Sequence, residues 1–336
     1  MNISEFLSDD GHAILALCSH LGLRAGSGAN DLDPFKPSEW NVLANRIENS
    51  ALRSPAGLNG LAAADLEKAL SVPAEDAERI AGLLERSGKL AIEVEALFSR
   101  GMWVLTRADS LYPPKLASTL KQHAPPVIFG AGSPQLLRRP GVAVVGSRNI
   151  DETGAAFARE VGKRAVQSRM AIVSGGARGT DRLAMDGALE VGGVAIGALA
   201  DSLESTIRKS DVRELLLDER LVLFTPYAPA AGFSVGAAMG RNKFIYGLAE
   251  AAVVVSSDYQ SGGTWAGAVE ALKAEWCPVF VREGPTVPKG NRELEKLGAA
   301  NLPERDLQSI DDLSDWLRAN AKAKATEQDL FDLGPR

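Results

Sequence analysis

Cysteine is nearly missing: the 336 residues hold 2, Cys18 and Cys277, with no CxxC pair. Neither a disulfide framework nor a cysteine zinc site is supported, and two buried free thiols are expected. Histidine is also scarce. The 3 present, His12, His20 and His123, form no HExxH motif, and His12 and His20 lie on one early helix without a third ligand, so no metal is expected. No apolar run approaches the roughly 18 residues that span a bilayer. The opening MNISEFLSDDG carries no basic stretch followed by an apolar one, so no membrane attachment and a cytoplasmic setting are expected. GxxxxGK[ST] and GxGxxG are absent too, and no cofactor is expected. Gly232-Phe233-Ser234-Val235-Gly236 does fit GxSxG, but every histidine precedes it, whereas the hydrolase order needs a later one.

What is present describes a globular chain of about two domains. Hydrophobic residues make up 45% and charged residues 24%, too apolar for a mostly disordered protein. The net charge of -6 argues against a surface coated with nucleic acid and leaves room for a local basic groove. Residues 1–100 read as a helical module: ILALCSHLGL, EWNVLANRI, AADLEKAL and AEDAERIAGLLERS place apolar residues three and four apart. Ser38, and Pro73 with Glu75 and Asp76, mark helix starts. Such a module serves packing or partner docking, with a helix-hairpin-helix DNA contact as the alternative. Residues 101–140 form a proline-rich connector packed on the domain that follows.

From Gly141 the pattern changes. VAVVG (142–146), MAIVS (170–174), VAIGAL (194–199), LVLF (221–224), AVVVS (252–256) and PVFV (278–281) are nearly continuous apolar runs, and amphipathic stretches separate them. Strands buried on both faces read this way. The alternation predicts an α/β fold with a doubly wound, mostly parallel, Rossmann-like sheet over residues 141–305. Residues 306–336 are expected to hold a short helix, DDLSDWLRANAKAKA, and a disordered tail.

Three clusters directly follow strands: Gly146-Ser147-Arg148, then Ser174-Gly175-Gly176-Ala177-Arg178-Gly179-Thr180-Asp181 with Arg182, then Ser261-Gly262-Gly263-Thr264. Glycine lets a backbone approach a ligand, and the first amides of the next helix favour an anion. The arginines add charge and paired donors suited to phosphate. From Arg138 to Arg182, nine basic residues face four acidic ones, so this sheet edge is built for an anion. Arg159, Lys163, Arg164 and Arg169 read mostly as a solvated helix face. Arg241, Asn242 and Lys243, taken to open the GRNKFIYGL helix, form a fourth polar group that either contacts the ligand or caps the helix. Trp265 and Tyr227 are candidates to stack on a base.

These motifs, in this order, resemble the DNA-processing protein A (DprA/Smf) family from about Arg100 to Val281: LTRADSLYPPKL with APPVIFGAGSPQLL, then VAVVGSRN, IVSGGARGTDRLAMDGALEVGG, GRNKFIYGLAEAAVVVSS and SGGTWAGAVEAL. The resemblance implies an extended Rossmann-like fold that binds single-stranded DNA in a positive pocket at the sheet's C-terminal edge, self-associates as a homodimer and hands DNA to a recombinase. It implies that Gly146, Ser147, Arg148, Ser174, Gly175, Arg178, Gly179, Asp181, Arg241, Asn242, Lys243, Ser261, Gly262 and Thr264 line or shape that pocket, with no catalytic residue. The chain departs from the family at Met185, where a histidine is usual, and at Thr180, where an isoleucine is usual. MGRNK is poorer in arginine than the usual segment, and about 30 residues replace a winged-helix module.

Two alternatives share the fold. One is a nucleotide-binding sensor. The other is a nucleoside-phosphate (phosphoribo)hydrolase, whose PGGxGTxxE motif puts a glutamate three residues after threonine. Here Thr264 is followed by Trp265-Ala266-Gly267 and the first acid is Glu270, so the carboxylate is displaced and a non-enzymatic binder is favoured. In the tail, Asp329-Leu330-Phe331 matches the end of peptides that dock on the bacterial sliding clamp, with Gln328 out of register.

Overall fold

The structure is a computed structural model that describes residues 6–23 and 32–321. The chain divides into two compact units, residues 1–134 with 225–231 and residues 135–224 with 232–336.

The first unit contains α1 (Asp9–Cys18), α2 (Pro37–Asn49), α3 (Ala63–Leu70), α4 (Ala74–Glu85), α5 (Ser87–Ser99), β1 (Met102–Thr106), α6 (Pro114–Leu120) and β2 (Val127–Ala131). Apolar spacing produces the expected inward faces, as in α4, where Ala77, Ile80, Leu83 and Leu84 are buried. Helix α2 starts one residue before Ser38, because Pro37 opens it and the Lys36 amide donates to the Glu39 carboxylate at 2.7 Å. Pro73 is the residue before α4. The thiols differ, with Cys277 buried and Cys18 partly exposed. Residues 101–140 hold more than a connector. Strands β1 and β2 pair antiparallel, Met102 opposite Ala131 and Thr106 opposite Val127. Every residue of both is buried, so neither shows the alternation that betrays a half-exposed strand.

Asp109 ties this unit together. Its carboxylate accepts from the Ser8 amide (2.8 Å), the Ser8 hydroxyl (2.7 Å), the Thr106 amide (2.7 Å) and the Thr106 hydroxyl (2.8 Å). Ser8 is also the cap of α1, accepting from the Gly11 amide at 3.0 Å. One buried side chain thus joins the end of β1 to a helix start that lies 101 residues before it in the chain. The Arg86 guanidinium closes the other end of α1 by donating to the carbonyls of Ala16, Ser19 and Leu21, which the helix leaves unpaired.

The second unit runs β3 (Gly141–Gly146), α7 (Glu152–Gln167), β4 (Ala171–Ser174), α8 (Thr180–Glu190), β5 (Ala195–Ala198), α9 (Leu203–Thr206), α10 (Ser210–Leu217), β6 (Leu221–Thr225), α11 (Val235–Leu248), β7 (Ala251–Ser256), α12 (Gly262–Lys273), β8 (Val279–Glu283), α13 (Lys289–Lys296), β9 (Ala300–Pro303), α14 (Glu304–Leu307) and α15 (Leu313–Asn320). Its strands lie in the order β6-β5-β4-β3-β7-β8-β9, and each neighbouring pair is parallel. The doubly wound sheet read from the sequence is therefore present, and its six strands fall within two residues of the apolar runs. Strand β9 was not visible. It is four residues long, ends in proline and is half-buried, as suits a sheet edge. Because chain order runs outward from β3 in both directions, right-handed crossovers put α7 and α8 on one face and α11 and α12 on the other. Among the described residues no helix is long and apolar enough to cross a membrane.

Two predictions follow from these joints. Asp109→Ala takes this partner from the buried amide and hydroxyl of Thr106 and is expected to destabilise the first unit by about 3 kcal/mol, read as a lower urea midpoint at unchanged slope. Asp151 caps α7 by accepting from Gly154 at 2.8 Å. That hydrogen bond, with Thr286 and Arg282 adding to it, holds its carboxyl below the ordinary 3.8. A depressed carboxyl contributes stability above its unfolded pKa and loses it as pH falls through the folded one. Asp151→Ala should cost about 1 kcal/mol at neutral pH, and thermal melts of variant and parent should converge only as the pH falls below 3.8 and through the lowered folded value.

Candidate nucleic-acid interface

The chain reverses its direction of winding between β3 and β7, and a crevice opens there. The register between them shifts at Val145/Gly146, so that Gly146 lies opposite Ser256. Beyond it is a cavity of about 400 Å³ lined from four places: the β3 turn (Gly146, Ser147, Arg148), the start of α8 (Asp181), α11 (Arg241, Asn242, Ile245, Tyr246) and the start of α12 (Ser261, Gly262, Gly263, Thr264). Phe233, Val235, Ala238 and Met239 complete an apolar wall.

Cations here divide by whether they are already satisfied. Arg148 and Arg178 are exposed, and among the described residues neither has a carboxylate partner; the Arg148 guanidinium lies 5.7 Å from the Phe233 ring centroid. Arg182 is committed to Asp186 (2.9 Å) and Asp211 (3.4 Å). On α7, Arg159 and Lys163 both pair with Glu190, and Arg164 with Glu160; the expected solvated face is in fact half-buried, and Arg164 also donates to the carbonyls of Ile310 and Gln308. Arg241 is buried and donates to the Ala198 carbonyl at 2.8 Å. Asp181 is buried too and accepts from the Gly175 amide at 3.1 Å. Burial pushes its carboxyl above the ordinary value, while the Arg241 charge pulls it back. The Arg241 guanidinium fills the space where a side chain at residue 175 would sit, so a larger residue there would have to displace it. These two charges largely cancel, and the pair shapes the floor.

The cavity gathers Gly146, Ser147, Arg148, Asp181, Arg241, Asn242, Ser261, Gly262, Gly263 and Thr264. Ser174, Gly175, Gly176, Arg178, Gly179, Arg182 and Lys243 are not in its lining. Ser174 donates its hydroxyl to Val144 O at 2.7 Å, inside the sheet. Gly179 has φ +89 and would set a Cβ 2.5 Å from the Arg148 carbonyl, so it lets the two turns touch. Lys243 lies 5.2 Å from the Phe244 ring centroid.

Two expectations change. Arg241–Lys243 do not open their helix, because α11 begins at Val235 and is capped by Ser234, which accepts from Ala237 at 3.0 Å. That cap is what the GxSxG serine does. The Ser147 amide is spent on Ser256 O at 2.9 Å, so it offers nothing to an anion. Helix α12, by contrast, has no side-chain cap at Ser261, and its first turn faces the cavity. The departures at Met185 and Thr180 are both buried and outside the lining; Thr180 donates to Ser147 O at 3.0 Å.

Sequence reading missed the apolar wall. Phe233 is 55% exposed and Val235 73%, and the available signal was two large apolar residues in a glycine-rich stretch. Trp265 is half-buried and packs edge-on to Tyr259, ring centroids 5.1 Å apart; Tyr227 groups with the first unit. Residues 328–331 lie outside the described residues.

Comparison with known proteins gives the fold a lineage. DNA processing protein DprA of Streptococcus pneumoniae is 32% identical over 156 residues, which cover 46% of this chain and 54% of the relative. A putative DprA of Mycobacterium tuberculosis is 27% identical over 212 residues, 60% of this chain and 53% of the relative. Protein Smf of Escherichia coli is 26% identical over 295 residues, 85% of this chain and 72% of the relative. Against the first two, this chain spans about half of the relative's length. Among solved structures, S. pneumoniae DprA superposes with a TM-score of 0.64 at 21% identity, covering 90% of this chain and 98% of that one. Helicobacter pylori DNA processing protein A, described for its single-stranded DNA binding mode, gives 0.53 at 22% identity, covering 65% and 97%. At these identities the two structures establish the fold. The family model of DNA recombination-mediator protein A matches residues 103–315, more than half of the sequence, and the chain belongs to that family.

Proposed function

We propose that the crevice between β3 and β7 binds single-stranded DNA without cutting it, and that the protein acts in DNA processing as a recombination mediator. The observation that carries this reading is the meeting, at one cavity, of the exposed Arg148 with a helix start that no side chain caps, at Gly262–Thr264. An arginine and open amides hold a phosphate oxygen without reference to sequence. The wall of Phe233, Val235 and Met239 suits the unstacked bases of a single strand better than a duplex. Arg178, exposed on the next turn, extends the positive path. Membership of the family and the single-stranded DNA binding mode of the H. pylori relative support the same reading. Self-association and delivery to a recombinase belong to this proposal.

Nucleoside-phosphate hydrolysis needs a carboxylate facing the substrate. Asp181 and Asp258 line the cavity and Glu270 does not, and Asp181 is already engaged by Gly175 and Arg241. Asp258, exposed in the lining, is the carboxylate such a reaction would have to use; the binding proposal predicts no release of free base from nucleoside monophosphates, a chromatographic assay that decides between the two.

Binding to labelled oligo-dT should fall steeply with salt. Arg148→Ala is expected to lower affinity about tenfold for every base sequence and to remove about 0.7 from the slope of log K against log salt. Arg159→Ala, on the paired face of α7, should leave both unchanged. Fluorescence anisotropy reads these quantities, and salt-independent binding would refute the proposal.

A further inference from the structure

Beside the cavity stands a group of side chains that the reading above does not use. The turn from β7 to α12 carries Tyr259, 37% exposed. The Trp265 ring supports it edge-on at 5.1 Å, and the Lys289 ammonium lies 4.4 Å from its ring centroid. Residues on both sides of Tyr259 in sequence, Asp258 and Ser261, line the cavity. The aromatic therefore stands at the rim of the crevice.

The group is held in place by main chain. A side chain at Gly290 would collide with the Ser257 carbonyl, so only glycine lets the start of α13 lie this close to the turn. The next residue, Asn291, is buried, accepts from the Ser257 amide at 2.9 Å and donates to Arg282 O at 3.1 Å. Lys289 is thus fixed at its backbone while its long side chain is exposed. An ammonium ion on an exposed aromatic face is held weakly, and a nucleobase stacked on such a face is held more firmly.

We infer that Tyr259 is a second, base-stacking subsite for the nucleotide that follows the one in the crevice: the base displaces Lys289 from the ring, and the freed ammonium takes the adjoining phosphate. Asp258 puts negative charge on the cavity side of the turn and directs that phosphate toward Lys289. This inference rests on the proposed single-stranded DNA reading and extends it by naming where the strand goes next.

The test uses the full chain with oligo-dT of twelve nucleotides, and with the same oligonucleotide carrying a single 2-aminopurine. Tyr259→Ala should weaken binding about tenfold and abolish the quenching of 2-aminopurine, while Tyr259→Phe should keep both near the parent level. Lys289→Ala should lower the salt slope by about 0.7. If Tyr259→Ala binds and quenches like the parent while Arg148→Ala loses affinity, the subsite is refuted and the crevice reading stands. If the parent does not bind oligo-dT at low salt, the crevice reading falls and the subsite with it.

Discussion

Everything at the candidate site depends on a reversal in the sheet. Strands β3 and β7 are parallel neighbours, yet the chain leaves β3 toward β4 on one side and leaves β7 toward β8 on the other. Their following turns diverge, so neither covers the end of the sheet between them. The register shift at Val145/Gly146 falls at this opening. A helix start then faces an open space, and its amides have no partner from their own helix.

How charge is spent around that space separates scaffold from surface. The chain is acidic overall, with 43 Asp and Glu against 37 Lys and Arg, so free positive charge matters only where it is left over. Glu190 and Glu160 absorb the basic face of α7. Asp186 and Asp211 absorb Arg182. Asp181 offsets Arg241 at the cavity floor, where a lone buried charge would be costly. Among the described residues Arg148 and Arg178 lack such partners, and both are exposed. A phosphate at Arg148 would share the cavity with the exposed Asp258.

Much of this was legible beforehand because parallel strands buried on both faces are continuous apolar runs, and because glycine, serine and arginine recur just after them. The turns at Gly146, Gly175 and Gly262 could be placed on one sheet edge from sequence alone. Other features were hidden for identifiable reasons. Strands β1 and β2 sit among prolines and lack alternation, and β9 is a four-residue edge. The sequence pattern places the start of α11 too late, because Gly232, Gly236 and Gly240 resemble a loop, whereas the Ser234 cap begins the helix at Val235. That error placed Arg241 at a helix mouth, when it lies buried under the cavity. Whether an arginine is free or neutralised depends on carboxylates distant in sequence, as Arg182 and Asp211 show, and no local pattern reveals that. Tyr259 was overlooked for the same reason, since its neighbour Lys289 is brought in by α13.

The most direct test of the central claim is amide hydrogen exchange in Gly262–Thr264 with and without saturating oligo-dT. A phosphate held at the start of α12 should slow exchange of these amides strongly, in the same titration that saturates binding. Unchanged exchange there, with protection appearing on another surface of the chain, would contradict it.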